Sequence, residues 1–196
     1  MIGREQLTRD IDFAVRPLEL SDIPHIVNYW LESSPEALVR MGADASKMPP
    51  VEQFEISLKS TLGHANQDAK VAYQIWLVNG ISIGFSSLKN IQFGESGEMH
   101  LHMWNSSFRG KGYGAILFCL SAMNFYKEFR LKTIKCEPIA SNPMPNRMFH
   151  KIGFPLVDTR IGASSELSLI CELNQYNIAL NVAAQYLQNM GLGLCS

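Results

Sequence analysis

"FRGKGYGAILFCLSAMNFY", Phe108 to Tyr126, sets glycines at three alternate positions, Gly110, Gly112 and Gly114, immediately before an apolar run of about three helical turns. A tight bend that enters a helix at once leaves the first main-chain N–H groups without intrahelical partners, gathered at the positive end of the helix dipole. Such an end attracts anions, phosphate above all. Glycine suits the position because the missing Cβ permits unusual backbone angles and lets a ligand come close. Arg109 and Lys111 add positive charge beside those N–H groups. Residues Arg109, Gly110, Lys111, Gly112, Tyr113 and Gly114 therefore read as a pyrophosphate cradle.

Glycine-rich turns serve several ligands, and the flanking residues narrow the choice. A nucleoside-triphosphate P-loop needs Lys-Ser or Lys-Thr after its last glycine, whereas Gly114 is followed by Ala115. A dinucleotide fingerprint tolerates Ala115 at its sixth position, but it follows the first strand of a βαβ unit. Here the preceding segments read as a meander. A plain tight turn at the start of a helix is the remaining alternative.

Working outward, "FAVRPLEL" alternates as a strand and meets "SDIPHIVNYWLES", a helix with Ser21 or Asp22 as cap and Pro24 in its first turn. Residues 33–50 are broken by prolines and Gly42 into a loop with one short helical turn from Pro35 to Met41. "VEQFEISLKSTLGH" returns to helical spacing. Two strand-like runs then flank Asn79-Gly80, a strong hairpin signal. "GEMHLHMW" alternates strictly, "LKTIKCEPI" and "SELSLICEL" read as strands, and "PMPNRMFHKI" is a helix stopped at Gly153. A last helix, about residues 174–190, carries Ile178, Val182, Tyr186 and Met190 on one face.

The chain of 196 residues is sized for one domain spanning residues 1–196, with a core over 13–173. Its 46% hydrophobic and 18% charged residues are ordinary for a globular protein. A formal net charge of -1 offers no basic excess for tracking nucleic acid. No apolar run reaches the roughly 20 residues of a membrane span, and the charged opening "MIGREQLTRDIDF" lacks the apolar stretch of a secretory signal. A cytoplasmic protein without nucleic-acid or membrane partners is expected. Cys119, Cys136, Cys171 and Cys195 form no C-x-x-C pair and read as reduced thiols. His100 and His102 have no Cys or carboxylate in metal spacing, so no metal is expected.

Two motifs at the right separation extend the reading. "RGKGYG" resembles the R/Q-x-x-G-x-G/A signature of the GNAT superfamily of acyl-CoA-dependent N-acyltransferases, at Arg109, Gly112 and Gly114. "SNPMPNRMFHKIGF" resembles that family's second motif, at Asn142 and from Lys151 to Phe154, and "VRPLELSDIPHIV" is similar to the opening of ribosomal-protein N-terminal acetyltransferases. The resemblance implies an α/β (α+β) GNAT fold: a mixed, mostly antiparallel sheet with helices on both faces and a splayed strand pair holding acetyl-CoA. It implies that residues 109–114 hold the pyrophosphate, that the main chain at His102, Met103 and Trp104 meets the pantetheine arm, and that Asn142 contacts it too. By itself, an Asn before Pro143 is also a common turn former.

Acetyl transfer needs a neutral amine, so a group near the thioester must take its proton. Alternation in "EMHLHM" sends Glu98, His100 and His102 to one face and Met99, Leu101 and Met103 to the core. The resemblance points to Glu98 as general base, with His100 second, and a strand bulge can exchange their facings. Phe149, counted with the cofactor-side residues, stands where many members place a Tyr that protonates the departing thiolate, and Pro145 stands where Ser or Ala is common. The acceptor is expected to be an amine-bearing small molecule or a peptide N-terminus. Glu32, Glu36 and Asp44 would line a pocket for a cationic amine, or simply face solvent. A CoA-binding sensor without turnover is the second expectation, and a homodimer through the C-terminal stripe the third.

Overall fold

In a computed structural model, which describes residues 11–63, 66–165 and 167–192, the chain builds one seven-stranded sheet. The strands are β1 (Phe13–Pro17), β2 (Ala72–Val78), β3 (Ile81–Gln92), β4 (Ser96–His102), β5 (Thr133–Cys136), β6 (Leu156–Gly162) and β7 (Cys171–Asn177). Their spatial order is β1-β2-β3-β4-β5-β7-β6, and every neighbouring pair is antiparallel except β4 and β5. The expected mixed, mostly antiparallel sheet is therefore present. The helices are α1 (Ile23–Leu31), α2 (Pro35–Met41), α3 (Val51–Lys59), α4 (Tyr113–Glu128), α5 (Pro143–Ile152) and α6 (Leu180–Asn189).

The β2–β3 hairpin turns on Asn79 and Gly80, both with positive φ, the geometry whose twist matches that of the strands it joins. Two apolar clusters cover the two faces. The larger, under α4 and α6, gathers Trp76, Met99, Phe118, Phe125, Phe149 and Leu187. The smaller, under α1 and α3, gathers Ile23, Ile26, Leu58, Ile75 and Phe85. Buried polar groups lock the larger layer. Trp76 Nε1 donates to Ser86 Oγ and Ser121 Oγ at 3.0 Å each, and the Tyr126 hydroxyl donates to Ile178 while accepting from the Ile134 N–H.

Several local expectations change in the folded chain. Asp22 does not cap α1 through its side chain. Its carboxylate instead accepts both Arg16 nitrogens, at 2.6 and 2.9 Å, and the Glu19 N–H. Leu156–Gly162, unassigned from sequence, is the edge strand β6, and the strand expected from Ser165 onward begins at Cys171. Asn174–Asn177, placed by spacing in the last helix, pair with β6 and β5, so α6 starts only at Leu180. Strand pairing overrides a helical pattern there, because β7 closes the gap between two other strands. The stripe of Ile178, Val182, Tyr186 and Met190 packs onto the larger cluster of its own chain. Cys119, Cys136 and Cys171 are free thiols, and Cys195 lies outside the described residues. Among the described residues no helix is long and apolar enough to cross a membrane.

Candidate active site

β4 and β5 run parallel for three rungs, Ser96 with Thr133, Gly97 with Ile134 and Glu98 with Lys135, and then part. Two devices force the separation. β4 stays with β3 up to His102 opposite Phe85, while β5 turns toward β7 through Cys136 opposite Tyr176 and the Ile139–Leu173 bridge. Beyond the last shared rung lies a cavity of about 500 Å3, with His100 to Met103 on one side and Cys136 to Ile139 on the other. Both strand edges thereby turn main-chain groups toward the cavity, positioned to pair with an extended ligand.

A close backbone crossing shapes the β4 side. At Gly84 a Cβ would lie 2.3 Å from the His102 carbonyl oxygen and 2.9 Å from Met103 Cα, so only glycine lets β4 leave along this path. Arg109 Nη2 donates to the Met103 carbonyl at 2.7 Å and ties the glycine turn to the same exit. At the N-terminus of α4, Gly112 adopts φ +87°, and a Cβ there would meet nothing within 4 Å. The turn is therefore open in front, with the start of α4 behind it, where the Ala115 N–H bonds back to the Gly112 carbonyl and the Tyr113 and Gly114 N–H groups have no intrahelical acceptor. Gly110, Gly112 and Gly114 all line the cavity.

The other walls come from α1, α2 and α5. Asn142 caps α5, its side chain accepting from the Met144 N–H at 3.3 Å, and its amide donates to the Arg40 carbonyl at 3.1 Å. The turn-forming role and the place in the cavity wall thus belong to the same residue. One turn along, Asn146 donates to the carbonyls of Ile139 and Asn142, and its oxygen accepts from Asn174 and the Tyr176 hydroxyl. That residue holds the diverging end of β5 in place.

Of the residues expected from sequence, His100, His102, Met103, Arg109, Gly110, Gly112, Gly114 and Asn142 line this one cavity. Five others lie outside its lining. Glu98 sits at the last shared rung and pairs with Lys135 at 2.9 Å. Trp104 turns into the smaller cluster, where its N–H donates to the Ser82 carbonyl and its ring stacks on His25. The Lys111 ammonium lies over the Phe108 ring, and Tyr113 packs edge-on against Phe13. Phe149 is fully buried among Phe118, Phe154 and Tyr176. Glu32, Glu36 and Asp44 also lie outside the lining, Asp44 being occupied by Ser46 and Lys47.

Lining residues not named individually from sequence include Tyr29, Arg40, Glu137 and Arg147, while Lys151 opens the Lys-x-Gly-Phe end of the second motif. Arg147 and Lys151 stand one helical turn apart, a spacing legible in advance. Tyr29 and Arg40 carry no such signal, since only α1 and α2 packing beside β4 brings them in.

Charge in the cavity is unequal. Among the described residues Arg40, Arg109, Arg147 and Lys151 share the lining with one carboxylate, Glu137, which is already held bidentately by Arg160 and approached by Lys135 at 3.6 Å. Burial would raise the Glu137 carboxyl, but these cations outweigh it and hold it below the ordinary value. His100 is pushed down to about 3, first by burial and then by Lys89, against the pull of Glu137. Its Nε2 is buried without a hydrogen-bond partner. Burial also holds His102 well below its ordinary value, among the rings of Tyr29, Trp30 and Phe85. Tyr29, whose hydroxyl lies 3.5 Å from His102 Nδ1, is raised by burial to about 12. At neutral pH both imidazoles are uncharged, and the same burial that keeps them neutral disfavours their protonated form. Among the described residues no group of three or more His, Cys, Asp or Glu is placed to hold a metal ion.

The acetyltransferase (GNAT) domain family matches residues 12–155, nearly three quarters of the chain. This protein is a member of the GNAT acetyltransferase family. Solved structures agree on the fold. The spermidine N-acetyltransferase of Vibrio cholerae, in complex with CoA and spermine, superposes with a TM-score of 0.69 at 16% identity, over 87% of this chain and 97% of that one. The ribosomal L7/L12 alpha-N-protein acetyltransferase in complex with coenzyme A gives 0.67 at 13% identity, over 84% and 92%. An uncharacterized protein of Bacillus halodurans gives 0.67 at 13%, over 92% and 91%. No curated protein matches the sequence.

Proposed function

We propose that this GNAT member transfers an acetyl group from acetyl-CoA to a primary amine by direct attack in a ternary complex. The observation that carries the reading is the parting of β4 from β5 directly beside the open glycine turn at the start of α4. These features fit the cosubstrate at both ends. The turn offers N–H groups and Arg109 for a pyrophosphate, and the strand edges offer main-chain partners for an amide-bearing arm. Arg147 and Lys151 add positive charge on the α5 side.

Acetyl-CoA supplies an activated thioester: the amine nitrogen forms the new C–N bond, the C–S bond breaks, and the thiolate leaves. The chain's own residues manage the amine and its proton. Of the two residues expected to act as base, His100 lines the cavity with a buried, unpartnered Nε2 and is the proposed proton acceptor, while Glu98 stands behind it at the last shared rung. The charged form of His100 is offset by the negative charge developing on the departing thiolate. Phe149 offers no proton to the thiolate, which as a good leaving group departs toward solvent or a bound water.

The test is thermal unfolding with and without acetyl-CoA, on wild type and on Gly112→Asp. A ligand at a hundred times its Kd stabilises by about 2.7 kcal/mol, several degrees for a chain of this size. Wild type should shift and the variant should not. No shift in wild type refutes the reading. A shift without thiol release over a broad panel of amines favours the CoA-binding sensor instead, since Phe149 leaves the departing thiolate without a protein acid.

A further inference from the structure

With Arg109, Arg147 and Lys151 assigned to the cosubstrate, Arg40 is the remaining cation in the cavity lining among the described residues, and the main chain that carries it is held in place. Arg40 lies in the last turn of α2, whose end is stitched down at several points: Gly42 accepts from the Leu169 N–H, the Asp44 N–H donates to Leu167, and Ala43 bridges to Ser168. The Arg40 carbonyl is itself held by Asn142. Its guanidinium lines the cavity and joins no ion pair among the described residues. The Tyr29 hydroxyl beside His102 feels the positive charge of Arg109 and, less strongly, of Arg40, so both guanidiniums act on the β4 wall of the cavity. Ser33 and Ser164 complete a polar rim on the same side.

A cationic acceptor meets the opposite of what it needs here. Among the described residues Glu137 is the one carboxylate in the lining, and Arg160 and Lys135 already neutralise it. The acidic residues that would recognise a polyamine, Glu32, Glu36 and Asp44, lie outside. A guanidinium without an ion-pair partner among the described residues, carried on an anchored main chain, matches a carboxylate or phosphate, which it can bind through two parallel N–H donors.

We propose that the acceptor is a primary amine carrying an anionic group close to the amine, and that Arg40 is its anchor. This rests on the acetyltransferase reading above. The shared chemistry admits a free amino acid or the N-terminus of an acidic peptide, and the two arms of the experiment separate them.

The test follows thiol release with acetyl-CoA and matched acceptors: amino acids against their amides, short peptides with Asp against Asn after the N-terminal residue, and spermidine. Carboxylate-bearing acceptors should exceed their neutral partners in kcat/KM by about ten- to a hundred-fold, the worth of one charge-assisted hydrogen bond. Arg40→Gln should erase that preference through KM and leave acetyl-CoA affinity unchanged, while Arg40→Lys should keep part of it. Equal or better use of neutral or cationic amines overturns the proposal. So does a variant that loses acetyl-CoA affinity and keeps the preference, which would make Arg40 a cosubstrate contact. If wild type shows no thermal shift with acetyl-CoA, the underlying reading fails, and this inference with it.

Discussion

The Arg109 guanidinium donates to the main-chain carbonyl of Met103 at 2.7 Å, latching the turn before α4 to the end of β4. One side chain thus couples the two halves of the candidate cosubstrate site. Arg109 is exposed, so its loss should cost the fold no more than about 1 kcal/mol, while the turn loses both its charge and its tether. Arg109→Gln is expected to weaken acetyl-CoA binding about ten- to a hundred-fold with little change in Tm. Calorimetric titration beside thermal unfolding checks this, and an equal loss in both would show the latch to be structural only.

Gly84 faces the crossing of β4, where its added Cβ would meet two main-chain atoms that cannot rotate away. Gly84→Ala should therefore destabilise by about 1–3 kcal/mol or more, the range for overpacking a tight interior. Because the displaced atoms belong to His102 and Met103, binding of acetyl-CoA should fall beyond what the lost stability explains. Urea unfolding and ligand titration at a temperature where the variant remains folded measure both effects.

The two histidines predict a particular pH dependence. His100 titrates near about 3 in the folded chain against an ordinary 6.5, and His102 is shifted the same way. Folding favours the neutral forms, so as pH falls the unfolded chain takes up protons first. The stability that the neutral form of His100 allows is complete above about pH 6.5 and drains away as pH falls toward about 3, with a slope of at most about 1.4 kcal/mol per pH unit, and His102 acts in the same direction. His100→Gln should flatten the profile in urea titrations across it; an unchanged slope would refute this account.

Phe149 stands where related enzymes often place a tyrosine, yet its ring is closed in by Phe118, Phe154 and Tyr176. Restoring the hydroxyl by Phe149→Tyr would bury a polar group in an apolar cluster outside the cavity lining. The expected result is a loss of about 1–3 kcal/mol and no gain in turnover. Faster thiol release by this variant would show instead that the position reaches the departing sulfur.

Periodicity and turn chemistry act over a few residues, and these parts of the protein were legible without coordinates. Asn79-Gly80 announced its hairpin, Gly153 the end of α5, and the three alternate glycines the start of α4. Together with the motif at Asn142, they were enough to point to the family and to the glycine-turn side of the cavity lining. What stayed hidden depends on partners distant in sequence. β6 and the Asn174–Asn177 segment became strands because β5 and β7 offered edges to pair with, and local pattern carries no record of such an offer. Glu98 and His100 look equivalent on an alternating strand, but β4 and β5 part just after Glu98, so one stays in an ion pair and the other meets the cavity. Arg40 and Tyr29 joined the site only through the packing of α1 and α2 beside β4. The sequence by itself determined most of the elements and the glycine turn at the start of α4, because their causes are local; tertiary structure alone decided the last strands and which charges share one cavity, because these are set by contacts between residues far apart along the chain.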